Sequence, residues 1–177
     1  MACCNSVFRP ASRWPYRKFD NVKIYDGSSG DVSGKRFVVA VAEYNKPVTE
    51  KLLEGALATL SSNDVPKDNV TVLWVPGAWE LAVAAKRVVG DCDAVVCLGA
   101  VIKGETSHDQ HINSMISQTL GRMAVDTGKP IAFGVLTCET GEQAIQRAGG
   151  SVGNKGEEAT LAVLQMLRLF DQMEKTG

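Results

Sequence analysis

The chain has 177 residues, enough for one domain that buries roughly 70% of the surface its unfolded form exposes. Apolar residues make up 45% and charged residues 22%, the composition of an ordinary soluble globular protein. A formal net charge of −1 argues against nucleic acid as the main partner, because phosphate neutralisation takes a surplus of Lys and Arg. No apolar run approaches the roughly 20 residues of a membrane-spanning helix, so no membrane partner is expected.

At the amino terminus, Arg9, Arg13, Arg17 and Lys18 precede the first acid, Asp20, and no continuous apolar segment follows them. This argues against a secretory signal. Composition admits an organelle transit peptide, but a disordered extension or an over-early start codon is the favoured account. Gly27-Ser28-Ser29-Gly30-Asp31-Val32-Ser33-Gly34 reads as a flexible linker. The expected division is therefore an arm and linker over 1–34 and a single domain over 35–177.

From residue 35 onward, short apolar runs alternate with amphipathic stretches. Residues 36–42, valine-rich and apolar on both faces, predict a buried strand. Pro47, Thr49 and Glu50 open a helix whose Leu52, Leu53, Ala56, Leu57 and Leu60 recur at helical spacing, and Asn63-Asp64-Val65-Pro66 closes it. A strand over 70–75 and a helix over 77–89 follow. Next come a strand over 93–98, a loop over 99–106 and a long helix to about residue 125. A strand over 130–136, a short helix over 142–147, a glycine-rich turn and a helix over 157–173 complete the pattern. Strands alternating with helices predict right-handed crossovers and a parallel sheet of four core strands covered on both faces.

The cysteines Cys3, Cys4, Cys92, Cys97 and Cys138 are odd in number and show no C-x-x-C spacing, which fits reduced thiols in a cytoplasmic protein. Cys97, within Ala94-Val95-Val96-Cys97-Leu98, reads as a small core residue rather than a nucleophile.

Ligands of open α/β sheets bind beyond the carboxyl ends of the strands. Here those ends are Glu43-Tyr44-Asn45, Pro76-Gly77-Ala78-Trp79-Glu80, the stretch 99–108 and Thr137-Cys138-Glu139, where polar, glycine and aromatic residues gather. No G-x-G-x-x-G follows the first strand, and the glycines over 149–156 lack a Gly-Lys-Ser/Thr ending, so neither a dinucleotide fold nor a P-loop is expected. The third loop offers a helix start to an anion; equally, Thr106 or Ser107 serves as an ordinary helix cap. His108, one of two histidines, reads by itself as a surface or satisfied core histidine; beside an anion-binding helix start it could instead transfer protons near neutral pH. His111 shares its face, but no third ligand is in view and no metal site is expected.

Taken together these loops resemble lumazine synthase over about residues 36–173. The resemblance rests on Pro76-Gly77-Ala78-Trp79-Glu80-Leu81, Leu98-Gly99-Ala100-Val101-Ile102-Lys103-Gly104-Glu105-Thr106, Phe133-Gly134-Val135-Leu136-Thr137, Glu142-Gln143-Ala144-Ile145-Gln146-Arg147-Ala148-Gly149 and Gly153-Asn154-Lys155-Gly156-Glu157-Glu158-Ala159. It implies a flavodoxin-like three-layer α/β/α sandwich. The implied reaction condenses 5-amino-6-ribitylamino-uracil with 3,4-dihydroxy-2-butanone 4-phosphate in riboflavin biosynthesis, and requires no cofactor. By the same resemblance Tyr44 stacks on the pyrimidine, Gly77, Ala78 and Trp79 give backbone contacts, and Glu80 bonds the ribityl chain. Val101 and Ile102 flank the ring, Gly104, Glu105 and Thr106 lie against phosphate, and His108 transfers protons. Phe133 packs on the ring from a neighbouring subunit, Arg147 binds phosphate, and Lys155 and Glu158 lie near the ribityl chain.

Without the resemblance, Glu80 is a first-turn carboxylate, Arg147 a helix-end arginine, and Lys155 and Glu158 are solvated charges. The chain departs from the family at Lys103, where many relatives carry arginine, at Tyr44, where many carry phenylalanine, and at Asp109-Gln110-His111, which replaces an aromatic-acid-aromatic run. The expected assembly is a homopentamer with active sites shared between neighbours. An icosahedral assembly and a partnership with riboflavin synthase are further implications of the resemblance. The rival reading is a non-catalytic flavin- or pterin-binding shell protein, against which the joint presence of Thr106, His108 and Arg147 argues.

Overall fold

Strand β1 (Phe37–Ala42) is apolar and buried at every position, which fits only the interior of a sheet covered on both faces. The computed structural model describes residues 22–175, so the basic arm over 1–20, with Cys3 and Cys4, lies outside the described residues. β3 (Ala94–Ile102) is likewise buried nearly throughout, whereas β2 (Val70–Val75) and β4 (Ile131–Cys138) show open positions and form the edges among the described residues. The order is β2-β1-β3-β4, all parallel.

Alternate residues of the inner strands serve opposite faces. Val39, Val41, Val96 and Leu98 pack with α1 (Lys46–Ser62), α4 (Gly141–Arg147) and α5 (Lys155–Glu174). Val38, Ala40, Val95 and Cys97 pack with α2 (Leu81–Val88) and α3 (His108–Thr127). The three-layer α/β sandwich with four parallel strands is therefore as expected, and its strand order follows the flavodoxin-like pattern.

Helix ends are held by particular groups. The Thr140 hydroxyl accepts from Gln143 N–H to start α4, and Asn154 Oδ1 accepts from Gly156 and Glu157 N–H to start α5. Lys129 Nζ donates to the carbonyls of Val89 and Cys92 at 2.8 and 2.7 Å, closing the carboxyl end of α2. At Gly156 a Cβ would collide with the carbonyl oxygen of Leu52, so glycine there lets α5 start against α1.

The structure differs from the sequence expectations in four places. β3 continues through residues 99–102, expected as loop, because β4 pairs with it as far as Ile102↔Cys138. α2 starts at Leu81 rather than at residue 77, and residues 77–80 form the turn before it. Where a glycine-rich turn was expected, β5 (Ala148–Gly150) and β6 (Gly153–Asn154) form a small antiparallel hairpin, with Gly153 at φ 90°. The stretch expected as a flexible linker is also tied to α5. Gln165 Nε2 donates to Asp26 O, Arg168 Nε to Gly30 O and Gln172 Nε2 to Ser29 O, while Val32 is buried in the core.

Among the described cysteines, Cys97 is fully buried, and burial pushes its thiol up to about 12 from an ordinary 9.0. The folded state therefore keeps the proton that the unfolded chain sheds. This contribution to stability is complete below about pH 9 and is lost as pH rises toward 12. In native protein at about pH 8, a thiol reagent followed by mass spectrometry should leave Cys97 unlabelled until the chain is unfolded. Labelling at the rate of a free thiol under native conditions would contradict this packing.

Candidate active site

From β1 the chain passes to β2 on one side, and from β3 to β4 on the other, so the strand order reverses between β1 and β3. The connections that leave their carboxyl ends diverge and open a crevice, the position where open α/β sheets bind ligands. Tyr44 follows β1 on one lip and is 72% exposed, unusual for so large an apolar ring. His108, the first residue of α3, stands on the other lip.

Backbone bonds beyond the strands hold these lips together. Glu43 N–H donates to Val75 O at 2.8 Å, Tyr44 N–H to Pro76 O at 3.1 Å, and Lys103 N–H to Cys138 O at 2.8 Å. Asn45 ties β1 to β3: its Nδ2 donates to Ala100 O at 2.8 Å. Its backbone adopts φ 62° to turn the strand into α1, a left-handed conformation that asparagine tolerates better than most residues.

The 77–80 turn closes with Glu80 N–H on Gly77 O, and the Glu80 carboxylate lies over Gly77, 3.1 Å from where a Cβ would stand. Ala78 packs beside the α2/α3 side of the core, and Trp79 is 51% exposed. Val101 and Ile102 end β3 on opposite faces, Val101 in the α2/α3 core and Ile102 against the other, so they present different groups to the crevice. Gly104, Glu105 and Thr106 form the exposed loop before α3.

Neither hydroxyl expected as a cap serves as one. Ser107 makes no side-chain capping bond, and Thr106 Oγ1 lies 2.6 Å from His108 Nδ1. That bond fixes the ring and leaves Nε2 as the nitrogen without a protein hydrogen bond among the described residues. A hydrogen bond from Lys103 Nζ to Glu139 Oε2 at 2.8 Å joins the ends of β3 and β4 and raises the ammonium above the usual lysine value. Among the described residues no group of three or more His, Cys, Asp or Glu side chains could hold a metal ion.

Phe133, Arg147, Lys155 and Glu158 lie on β4, α4 and α5, not on the connections that carry Tyr44 and His108. Phe133 pairs in register with Cys97, five residues before Cys138, which places it about 16 Å back along the strand. It is 41% exposed on the edge strand β4. Arg147 ends α4, donating from Nη1 to Gln143 O at 3.2 Å. Burial pushes the nearby Cys138 thiol up, and the Arg147 charge opposes that shift. Lys155 and Glu158 pair at 2.6 Å in the first turn of α5. α4 and α5 cover the face of the sheet opposite α3.

Sequence reasoning missed Asn45 and the Lys103–Glu139 pair. An asparagine between a strand and Lys46-Pro47 is a readable signal for a left-handed turn. The ion pair depends on sheet register and has no local signal.

Similarity to known proteins agrees with this geometry. A family model described as 6,7-dimethyl-8-ribityllumazine synthase matches residues 34–171. A 6,7-dimethyl-8-ribityllumazine synthase of Rhodopirellula baltica is 46% identical over 150 residues, covering 84% of this chain and 97% of that protein. A protein of the same description from Salinibacter ruber is 46% identical over 145 residues, 81% of this chain and 93% of its own length.

Replacing Asn45 tests what holds the lips. Asn45→Ala and Asn45→Gly both lose the bond to Ala100, worth about 0.5–1.5 kcal/mol. Alanine also carries left-handed strain of about 1–2 kcal/mol. Asn45→Gly should therefore unfold at a higher temperature than Asn45→Ala. The reverse order would mean that the backbone at Asn45 is not under this constraint.

Proposed function

The chain belongs to the 6,7-dimethyl-8-ribityllumazine synthase family, and from that premise we propose which of its residues carry the reaction. It is a transferase of riboflavin biosynthesis. The reaction joins 5-amino-6-ribitylamino-uracil and 3,4-dihydroxy-2-butanone 4-phosphate. The pyrimidine amine attacks the ketone and water leaves as an imine forms. Phosphate is then eliminated, and ring closure with loss of a second water yields 6,7-dimethyl-8-ribityllumazine. This chemistry is positioning and proton transfer, and a placed acid–base group contributes roughly 10²–10⁴-fold.

The crevice between Tyr44 and His108 carries the assignment. In our reading Tyr44 stacks on the pyrimidine, the backbone at Gly77, Ala78 and Trp79 binds its polar edge, and Glu80 receives ribityl hydroxyls. The ends of β3 at Val101 and Ile102 wall the ring. Gly104, Glu105 and Thr106, at the amino end of α3, receive the phosphate where the helix dipole favours an anion. His108 exchanges protons through Nε2 while Thr106 holds Nδ1.

Phe133, Arg147, Lys155 and Glu158 lie on other elements than those that carry Tyr44 and His108, and we assign them to the site of a neighbouring copy in a homo-oligomeric ring. Heterologous contacts in a ring give each copy one surface toward each neighbour, so a site can be completed across the contact. Arg147 then clamps the phosphate with a bidentate guanidinium. No helix of the described residues is long and apolar enough to cross a membrane. Water-soluble substrates fit the cytoplasm.

Purified protein given both substrates should develop the lumazine absorbance band, and His108→Ala should lower turnover by roughly 10- to 10³-fold. Arg147→Ala should weaken use of the butanone phosphate by roughly 10- to 150-fold while the pyrimidine is much less affected. Unchanged turnover in His108→Ala removes the histidine from the mechanism, and equal loss for both substrates removes Arg147 from the phosphate.

A further inference from the structure

On the core-facing side of α3, Ile116, Leu120 and Met123 are buried. Spacings of three and four residues carry that stripe back to Asn113 and Asp109, in the turns nearest the crevice. Among the described residues, Asp109 Oδ1 and Asn113 Oδ1 are the buried side-chain oxygens with no hydrogen-bond partner. Two unsatisfied acceptors one turn apart are costly, and an apolar pair there would continue the stripe without that cost. Oxygen and nitrogen of an asparagine amide have nearly the same shape, so turning the Asn113 amide puts a donor where its oxygen stands.

We propose that Asn113 Nδ2 donates to Asp109 Oδ1 across one turn of α3, and that this pair positions the turn carrying His108. Amide–carboxylate bonds at this spacing stabilise helices. The need for one is specific to this helix: Ser107 makes no capping bond, and the Thr106 hydroxyl is engaged by the His108 ring. The first turn is thus tied to the second by Asp109 and Asn113 rather than by a cap. The Asp109 charge also sits favourably at the amino end of the helix dipole. Both are positioning residues: they act through His108 and touch no substrate.

The role rests on the proton-transfer reading of His108, so His108→Ala is measured in parallel. Asn113→Asp sets two carboxylates one turn apart, where like charges repel. It should lower kcat by roughly 10- to 100-fold with KM for both substrates nearly unchanged, because misplacement of a reacting group costs rate more than binding. It should also lower the unfolding midpoint by about 3–6 °C. The exchanged variant Asp109→Asn/Asn113→Asp restores one amide and one carboxylate. It should recover kcat to within about threefold and the midpoint with it. If Asn113→Asp fails to fold, recovery of folding and turnover by the exchanged pair supports the proposal by itself. An exchanged pair no better than Asn113→Asp overturns it, as does an Asn113→Asp enzyme that matches the wild type. Turnover unchanged in His108→Ala removes the positioning role, and rescue of the unfolding midpoint then judges the hydrogen-bonded pair separately.

Discussion

The ladder between β3 and β4 sets the geometry on which the site depends. Its register runs from Val95↔Ile131 to Ile102↔Cys138 without interruption. It carries β3 past residue 98 to deliver residues 103–108 at the crevice. It also fixes Phe133 beside Cys97, in the middle of the edge strand. A one-residue slip would turn every side chain of β4 to the other face, driving Ala132 and Leu136 out of one core and Val135 out of the other. The strand is therefore pinned by burial on both sides, and Phe133 cannot migrate toward the crevice within its own chain.

That constraint gives the lips different physical characters. The β1 lip is held by the backbone bonds of Glu43 and Tyr44 to residues 75 and 76 and by the Asn45 side-chain amide on Ala100 O, leaving the Tyr44 ring exposed. The β3 lip is held by the backbone bond of Lys103 to Cys138 and by two side-chain bonds, Lys103 on Glu139 and Thr106 on His108. An exposed aromatic ring follows β1, and an imidazole oriented by one short hydrogen bond starts α3. In the proposed reaction, condensation of a flat heterocycle would take stacking and orientation from one side and proton exchange from the other.

Much of this was legible in the sequence, for identifiable reasons. The valine runs of β1 and β3 are apolar on both faces because both faces are covered, and the polar and glycine residues at the strand ends mark the binding edge. What was not legible depended on partners distant in sequence. Gly99-Ala100 reads as the start of a loop, but pairing with β4 overrides that local preference. The stretch over 27–34 reads as linker because its anchors on α5 lie 138 to 145 residues away. The β5–β6 hairpin is too short and glycine-rich to show alternation. Thr106 and Ser107 read as caps because sequence shows a hydroxyl at a helix start but not the imidazole that one of them engages.

The central claim is that the crevice of one copy is completed by Arg147 of another. Its most direct measurement is complementation in mixed assemblies. His108→Ala and Arg147→Ala chains, each nearly inactive by itself, are assembled together in equal amounts. A site is whole when the copy supplying the crevice carries the Arg147 substitution and its neighbour carries the His108 substitution. Random mixing gives that arrangement about a quarter of the time, so activity should return to roughly a quarter of the wild-type value. Mixed assemblies with no recovery would contradict the shared site.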